Sequence, residues 1–197
     1  MEYIKEATVG NKTIKIYHSE GDNPRTYDGN ITRMIFFGNH EGLGDKHDIK
    51  LNEGFNSRQD FMDRGAEIVQ KATKAVICLP VHLYEHSGIS LSINYEGQYA
   101  DRWDSGTCGF VIITKEDIRE CYGIKRVTQK HIDKAVKEIE GELKELNQYI
   151  NGEVYGFEIT EEGEETDSCG GFYGDDFKTN GMADHVGDDK LIEAICD

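Results

Sequence analysis

The densest group of side chains that could carry out chemistry lies between residues 82 and 106. Carboxylates and imidazoles occur there in two loops that flank apolar, alternating segments. Such groups on adjacent loops can hold a divalent metal ion or act as general acid and base. These side chains support one of two hypotheses, namely that the protein is a metal-dependent enzyme or a binder of a nucleotide-like small molecule. Under this hypothesis the candidate metal ligands are Glu85, His86, Asp101, Asp104 and Cys169. Cys169 is distant in sequence and would come close to the others only through folding.

The same residues have a structural interpretation. Asp104 and Ser105 stand directly before Gly106, where short polar side chains close turns by hydrogen bonding to backbone amides. In this interpretation Asp104 and Asp167 bind turn amides, and the glycine-rich run that follows Asp167 is a tight turn anchored by Phe172. No metal or other cofactor is then needed.

A second polar loop, residues 38–54, has a composition similar to that of metal sites. It contains His40, Asp45, His47 and Asp48, but their spacing matches neither an H-E-x-x-H helix nor an EF-hand loop. The glycines at its start lack the G-K-[ST] ending of a phosphate-binding loop. The loop is unusually long for a compact domain, which indicates function or mobility.

Local patterns predict the elements that position these loops. Alternation predicts a hairpin over residues 2–18 with its turn at Gly10-Asn11, and further strands at 31–37, 75–84, 89–95, 107–114 and 154–160. Capping residues Ser57 and Thr114 and apolar i, i+3, i+4 spacing predict helices at 57–74, 114–123 and 128–150. Pro80 indicates a local edge or bulge.

Runs of strands between helices favour an α+β fold over a doubly wound parallel sheet. We expect a single domain, residues 1–197, with one antiparallel sheet of about five or six strands and two amphipathic helices packed on one face. The three strands between residues 75 and 114 are expected to form an antiparallel meander. The segment beyond residue 160 is expected to form an acidic turn, a glycine-rich loop and a polar tail.

Nearly all the negative charge lies in the last third of the chain. Residues 138–197 contain 18 acidic and 3 basic residues, which accounts for −15 of the formal net charge of −16. Such a surface repels nucleic acid and anionic membranes and attracts basic proteins over about 8–10 Å at physiological salt. An acidic face that only keeps the protein soluble is the alternative.

The predicted partner-binding surface is therefore acidic. A mimic of duplex DNA must display carboxylates in an extended array, because phosphates recur every ~1.7 Å of the duplex axis. Three candidates lie on the predicted solvent side of the longest helix, and five follow the next strand. They are Glu138, Glu142, Glu145, Glu161, Glu162, Glu164, Glu165 and Asp167.

Three segments resemble one known family. They are Asp22–Asp28, then Leu79–Ser90 followed by Trp103–Phe110, and finally Val154–Phe157 followed by Asp167–Gly174. Together they are similar to small acidic proteins, mostly hypothetical, encoded by phages and mobile elements of Gram-positive and gut bacteria. The Trp-Asp-Ser-Gly and Asp-Ser-Cys blocks are the most specific marks. The chain departs from the family pattern at Gly170, where a tryptophan is usual, and at Glu85, where an aspartate is usual.

The resemblance implies a context rather than catalytic residues. Small acidic phage proteins often inhibit host defence, and anti-CRISPR proteins that mimic nucleic acid are among them. The leading hypothesis is thus a non-enzymatic inhibitor that binds a basic, nucleic-acid-binding defence protein such as a CRISPR nuclease. Five cysteines without a C-x-x-C pair, no apolar N-terminal segment and no long apolar run predict a cytoplasmic protein, away from membranes. The resemblance implies that the cell is a bacterial host.

Overall fold

The computed structural model describes residues 2–51, 54–101 and 103–197. Its strands and helices are grouped rather than strictly alternating, so the predicted α+β class is confirmed. The strands are β1 (Tyr3–Val9), β2 (Lys12–His18), β3 (Arg33–Phe36), β4 (Ile77–Glu85), β5 (Ile89–Ser92), β6 (Ser105–Ile113), β7 (Val154–Glu161) and β8 (Glu164–Tyr173). The helices are α1 (Arg58–Thr73), α2 (Lys115–Tyr122), α3 (Gln129–Ile150), α4 (Met182–Val186) and α5 (Asp189–Cys196).

The chain divides into two compact units. The first contains Met1–Pro24 and Gln148–Asp197, and the second contains Arg25–Asn147. Each unit has its own antiparallel sheet and its own buried apolar cluster.

In the first unit the strand order is β1-β2-β7-β8. The predicted hairpin forms, and Gly10 adopts the positive φ that its tight turn requires. Alternation places Ile14 and Ile16 on the inner face, where both are fully buried, and Phe157 of β7 lies beside them. Apolar side chains of α4 and α5 complete this core from the C-terminal segment.

In the second unit the strand order is β3-β6-β4-β5, with α1 packed on the sheet. Ser57 caps α1 by accepting a hydrogen bond from the Asp60 amide, as its position predicts. Val69 of α1 is fully buried against Phe110 and Ile112 of β6. Gly65 allows α1 to approach the Phe110 ring closely, since a Cβ there would lie 2.9 Å from the ring.

The expectation of one antiparallel sheet with five or six strands and two helices on one face is matched only in part: the pairing is antiparallel, but the strands do not form a single sheet. The protein has two sheets of four strands each, because strands from the two ends of the chain pair with each other. β2 pairs with β7, and residues 164–173, expected as a turn and a loop, form β8 on the other side of β7. Bulges in this pairing accommodate the glycine-rich run.

The expected meander is wrong. β4 lies between β5 and β6, so β5 and β6 are not neighbours. The free side of β5 is closed instead by Asn147 of α3, whose side chain accepts from the Leu91 amide at 2.8 Å and donates to the Leu91 carbonyl at 2.9 Å. Pro80 lies in the part of β4 that β5 does not reach, which is a local edge as predicted.

The predicted polar tail contains α4 and α5. The signal for α5 was present in the sequence: Asp188 caps the helix, and Leu191, Ile192 and Ile195 recur at helical spacing and are buried.

Candidate functional site

The described part of the loop between β5 and β6 is fixed by backbone and side-chain hydrogen bonds. The Asp101 carboxylate accepts from the Trp103 and Asp104 amides at 2.7 and 2.9 Å. These two amides, Asp104 first, lower the pKa of Asp101. Arg58 of α1 donates to the carbonyl oxygen and to the hydroxyl of Ser105. Asp101 thus performs the turn-closing role that was expected of Asp104.

Two of the predicted metal ligands, His86 and Asp104, pair with each other, whereas Glu85 pairs with His40 and Asp101 accepts from turn amides. The Asp104 carboxylate lies 3.1 Å from His86 Nδ1, and the Glu85 carboxylate lies 4.0 Å from His40 Nε2. All four side chains face solvent to some extent, and Cys169 belongs to the other unit. Across residues 2–51, 54–101 and 103–197, no three His, Cys, Asp or Glu side chains are grouped so that they could hold a metal ion. The metal-dependent alternative stays a prediction.

The same loop presents the tryptophan of the chain. The Trp103 side chain is 85 % exposed and Tyr95 is 50 % exposed, and the Arg58 guanidinium lies 5.7 Å from the Tyr95 ring centre. Sequence reasoning missed the role of Arg58, because only folding brings α1 to this loop. His82, buried beneath Tyr95, has its pKa lowered by burial and by Arg58.

The polar loop that follows β3 has a structural role in its described part. The Asp45 carboxylate accepts from the Met34 amide at 2.6 Å, and the His47 ring contacts the Phe36 carbonyl at 2.7 Å. Both contacts hold the loop against β3. Residues 52 and 53 of this predicted loop lie outside the described residues.

Arg25 organises a nearly buried ionic network that sequence reasoning missed. Its guanidinium donates to Asp45 at 2.8 Å, to Glu142 at 2.7 Å and to the Thr32 carbonyl at 2.6 Å. Glu142 also accepts from the Ile31 amide and the Thr32 hydroxyl. Its side chain is only 13 % exposed. Glu142 therefore does not belong to an outward-facing acidic array.

The three acidic candidates on α3 have different environments. Glu138 is exposed, whereas Glu145 is half-buried and lies near Glu142. Burial, and then the charge of Glu142, raise the pKa of Glu145, while Arg25 opposes the shift. Of the three candidates in the helical part of the predicted array, only Glu138 is thus exposed.

We expect Glu145→Gln to stabilise the protein at neutral pH. A raised pKa in the folded state means that folding is disfavoured as pH rises through that pKa, because the folded protein holds the proton more tightly than the unfolded chain. The gain is below about 1 kcal/mol, since the group is half exposed and screened by solvent. The thermal unfolding midpoint of the variant should be higher than that of the wild type at pH 7, and this gap should close near pH 4. A gap of equal size at both pH values would contradict this assignment.

The other five acidic candidates cluster on the β7–β8 hairpin. Glu162 and Gly163 form its two-residue turn, both with positive φ. Glu162, Glu164, Glu165 and Asp167 are exposed, and Glu161 is partly exposed. Among the described residues, no Lys, Arg or His nitrogen lies within 4 Å of these five carboxylates. We call residues 161–167 the acidic hairpin.

The neutral contacts of the acidic hairpin are few. Asn11 donates to Glu161 at 2.7 Å and Ser168 donates to Glu165 at 2.8 Å. Lys12 lies opposite Glu161 in the sheet, but its ammonium group pairs with Asp188 instead. No Lys, Arg or His of residues 2–51, 54–101 and 103–197 therefore neutralises the charge of the hairpin.

Comparison of the chain with protein-family models, with curated proteins and with solved structures finds no match. These comparisons do not test the resemblance to small acidic phage proteins, which therefore stays a prediction. Within the described ranges, none of the helices combines the length and the apolar character that crossing a membrane requires.

Proposed function

We propose that the protein is a non-enzymatic inhibitor that binds a basic surface of a bacterial defence protein. The partner is a nucleic-acid-binding protein such as a CRISPR nuclease, in the context that the resemblance to phage proteins implies. The observation that carries the proposal is the acidic hairpin, in which five carboxylates within seven residues have no cation within salt-bridge distance in the described structure.

The physical basis is electrostatic complementarity. Like charges crowded at a hairpin repel one another, and a basic partner relieves that repulsion on binding. A nucleic-acid-binding groove is basic because it neutralises phosphates, so the same groove attracts these carboxylates. Occupancy of the groove excludes nucleic acid. The expected inhibition is therefore competitive and weakens with added salt.

Charge reversal tests the proposal. The quadruple variant Glu161→Lys, Glu162→Lys, Glu164→Lys and Glu165→Lys should lose inhibition of the sensitive nuclease by at least about tenfold, because the variant repels the groove. The measurement is cleavage of a DNA target by purified CRISPR nucleases, preceded by phage-plaquing assays that identify the sensitive defence system. Unfolding midpoints establish that the variant folds.

The matched control reverses four exposed acidic residues of the second unit. Glu67, Glu116, Glu120 and Asp133 lie on helices and are replaced by lysine together. The control has the same net charge as the test variant, so retained inhibition would show that position matters as well as charge. Equal loss in both variants would contradict a role specific to the acidic hairpin, and unchanged inhibition in the test variant would refute the mechanism.

A further inference from the structure

In the described structure β8 is the last strand of its sheet, so one of its sides has no neighbouring strand. It is ten residues long, and Glu164–Ser168 are all exposed. A free strand edge presents backbone N–H and C=O groups that can pair with another chain. The position and spacing of these groups follow from the register.

Hydrogen-bonded and non-bonded residue pairs alternate along an antiparallel ladder. In a two-residue hairpin the residues next to the turn form a bonded pair, which here is Glu161 with Glu164. Following the strand register from that pair, the residues of β8 whose backbone groups point away from β7 include Glu165, Ser168 and Gly170.

The first hairpin supports this assignment independently. Its bonded pair is Val9 with Lys12, so Thr13 points its backbone groups towards β7, where it faces Thr160. Thr160 then points away from β8, as the β7–β8 hairpin also requires. The Gly174 amide bonds the Glu153 carbonyl at 2.8 Å, which continues the same alternation at the far end of β8.

These outward groups lack a backbone partner within the part of the chain that the structure describes. None of the backbone hydrogen bonds outside the ladders involves Glu165, Ser168 or Gly170; only the Cys169 thiol approaches the Gly170 carbonyl, at 3.7 Å. The side chains on both faces of this edge are acidic around its first half. Negative charge discourages a second copy of β8 from pairing there, and it favours a positively charged strand.

We propose that the free edge of β8 binds an extended, lysine- or arginine-rich segment of the partner as an additional strand of the sheet. This inference rests on the proposed function and names the form in which the basic partner is recognised. Backbone hydrogen bonds to Glu165, Ser168 and Gly170 supply the pairing, and the carboxylates of the acidic hairpin select the charge of the incoming strand.

The first test uses a peptide of alternating lysine and valine with four lysines as the probe. Amide hydrogen exchange by NMR should slow at Glu165, Ser168 and Gly170 by at least about tenfold on binding, since these amides become hydrogen-bonded. The amides of Asp167 and Cys169, which already face β7, should change little. Spermine is the control, because it has four positive charges and no peptide groups. Equal protection by spermine, or no protection by the peptide, would overturn the proposal.

The second test compares two variants at Ser168. Ser168→Pro removes the outward N–H and is compatible with an edge strand, whereas Ser168→Ala removes only the hydroxyl. Peptide affinity should fall about tenfold or more in the proline variant relative to the alanine variant. Equal affinities in the two variants, with both dependent on the hairpin carboxylates, would overturn strand pairing while leaving the proposed function intact. If Ser168→Pro and the charge-reversal variant both inhibit the nuclease as well as the wild type does, strand pairing and the proposed function are both refuted.

Discussion

We expect Glu142→Gln to lower the free energy of unfolding by about 1–3 kcal/mol, the cost of leaving buried hydrogen-bond donors unsatisfied. Arg25 keeps Asp45 as a counter-ion, so the loss is smaller than for a buried charge left without a partner. Glu142 and Asp45 both pair with Arg25, and Glu142 also accepts from the Ile31 amide and the Thr32 hydroxyl. The guanidinium is nearly buried, with 4 % of its side chain exposed. An amide at residue 142 replaces one accepting oxygen with a donor, which leaves donors facing one another inside the protein.

Glu138→Gln is the matched control for this prediction. It makes the same chemical change one helical turn earlier on α3, where the side chain is exposed. Its effect should lie within about 0.5 kcal/mol of zero, as for ordinary surface substitutions. Chemical denaturation monitored by circular dichroism measures both variants. Similar midpoints for the two variants would show that the Arg25 network contributes little to stability.

Gly109→Ala is expected to destabilise the second unit by about 3 kcal/mol or more, at the upper end of overpacking effects. Gly109 lies in β6 between Phe36 of β3 and Val81 of β4. A Cβ there would overlap the Ile35 carbonyl oxygen and lie 2.7 Å from the Phe36 Cα. Backbone atoms of a paired strand cannot move aside without breaking the ladder, so β3 must shift.

Gly106→Ala tests whether this effect comes from the close approach. Gly106 is on the same strand, but a Cβ there meets no atom of the described residues within 4 Å. Alanine restricts the unfolded chain, so this variant should be neutral or more stable by up to about 1 kcal/mol. Thermal unfolding distinguishes the two. A destabilisation of equal size at both positions would mean that loss of glycine flexibility, rather than overlap with β3, is responsible.

Local features were predictable from the sequence. The first hairpin, the caps at Ser57 and Thr114 and the course of α3 all appear where the patterns place them. These features depend on turn chemistry and on contacts between residues three or four positions apart, and such residues are close together in the sequence. The acidic hairpin was likewise identified as a charged segment, although it was expected to be a turn rather than part of a strand.

The direction of each acidic side chain was only partly predictable. Periodicity placed Glu142 on the solvent side of α3, yet the structure places its carboxylate against Arg25. The apolar pattern of one helix does not show that a distant arginine needs a counter-ion. A lone arginine in a loop rich in turn formers carries no such signal, so the pair becomes visible only when loop and helix meet.

The sequence by itself determined the α+β class, the helices and hairpin named above, and the concentration of negative charge in the last third of the chain. Only the tertiary structure decided that β7 pairs with both β2 and β8, and that Asn147 rather than β6 closes β5. Strand pairing is non-local: many registers satisfy the same alternation, and the choice among them depends on which faces are buried together. The open edge of β8 is a consequence of that choice.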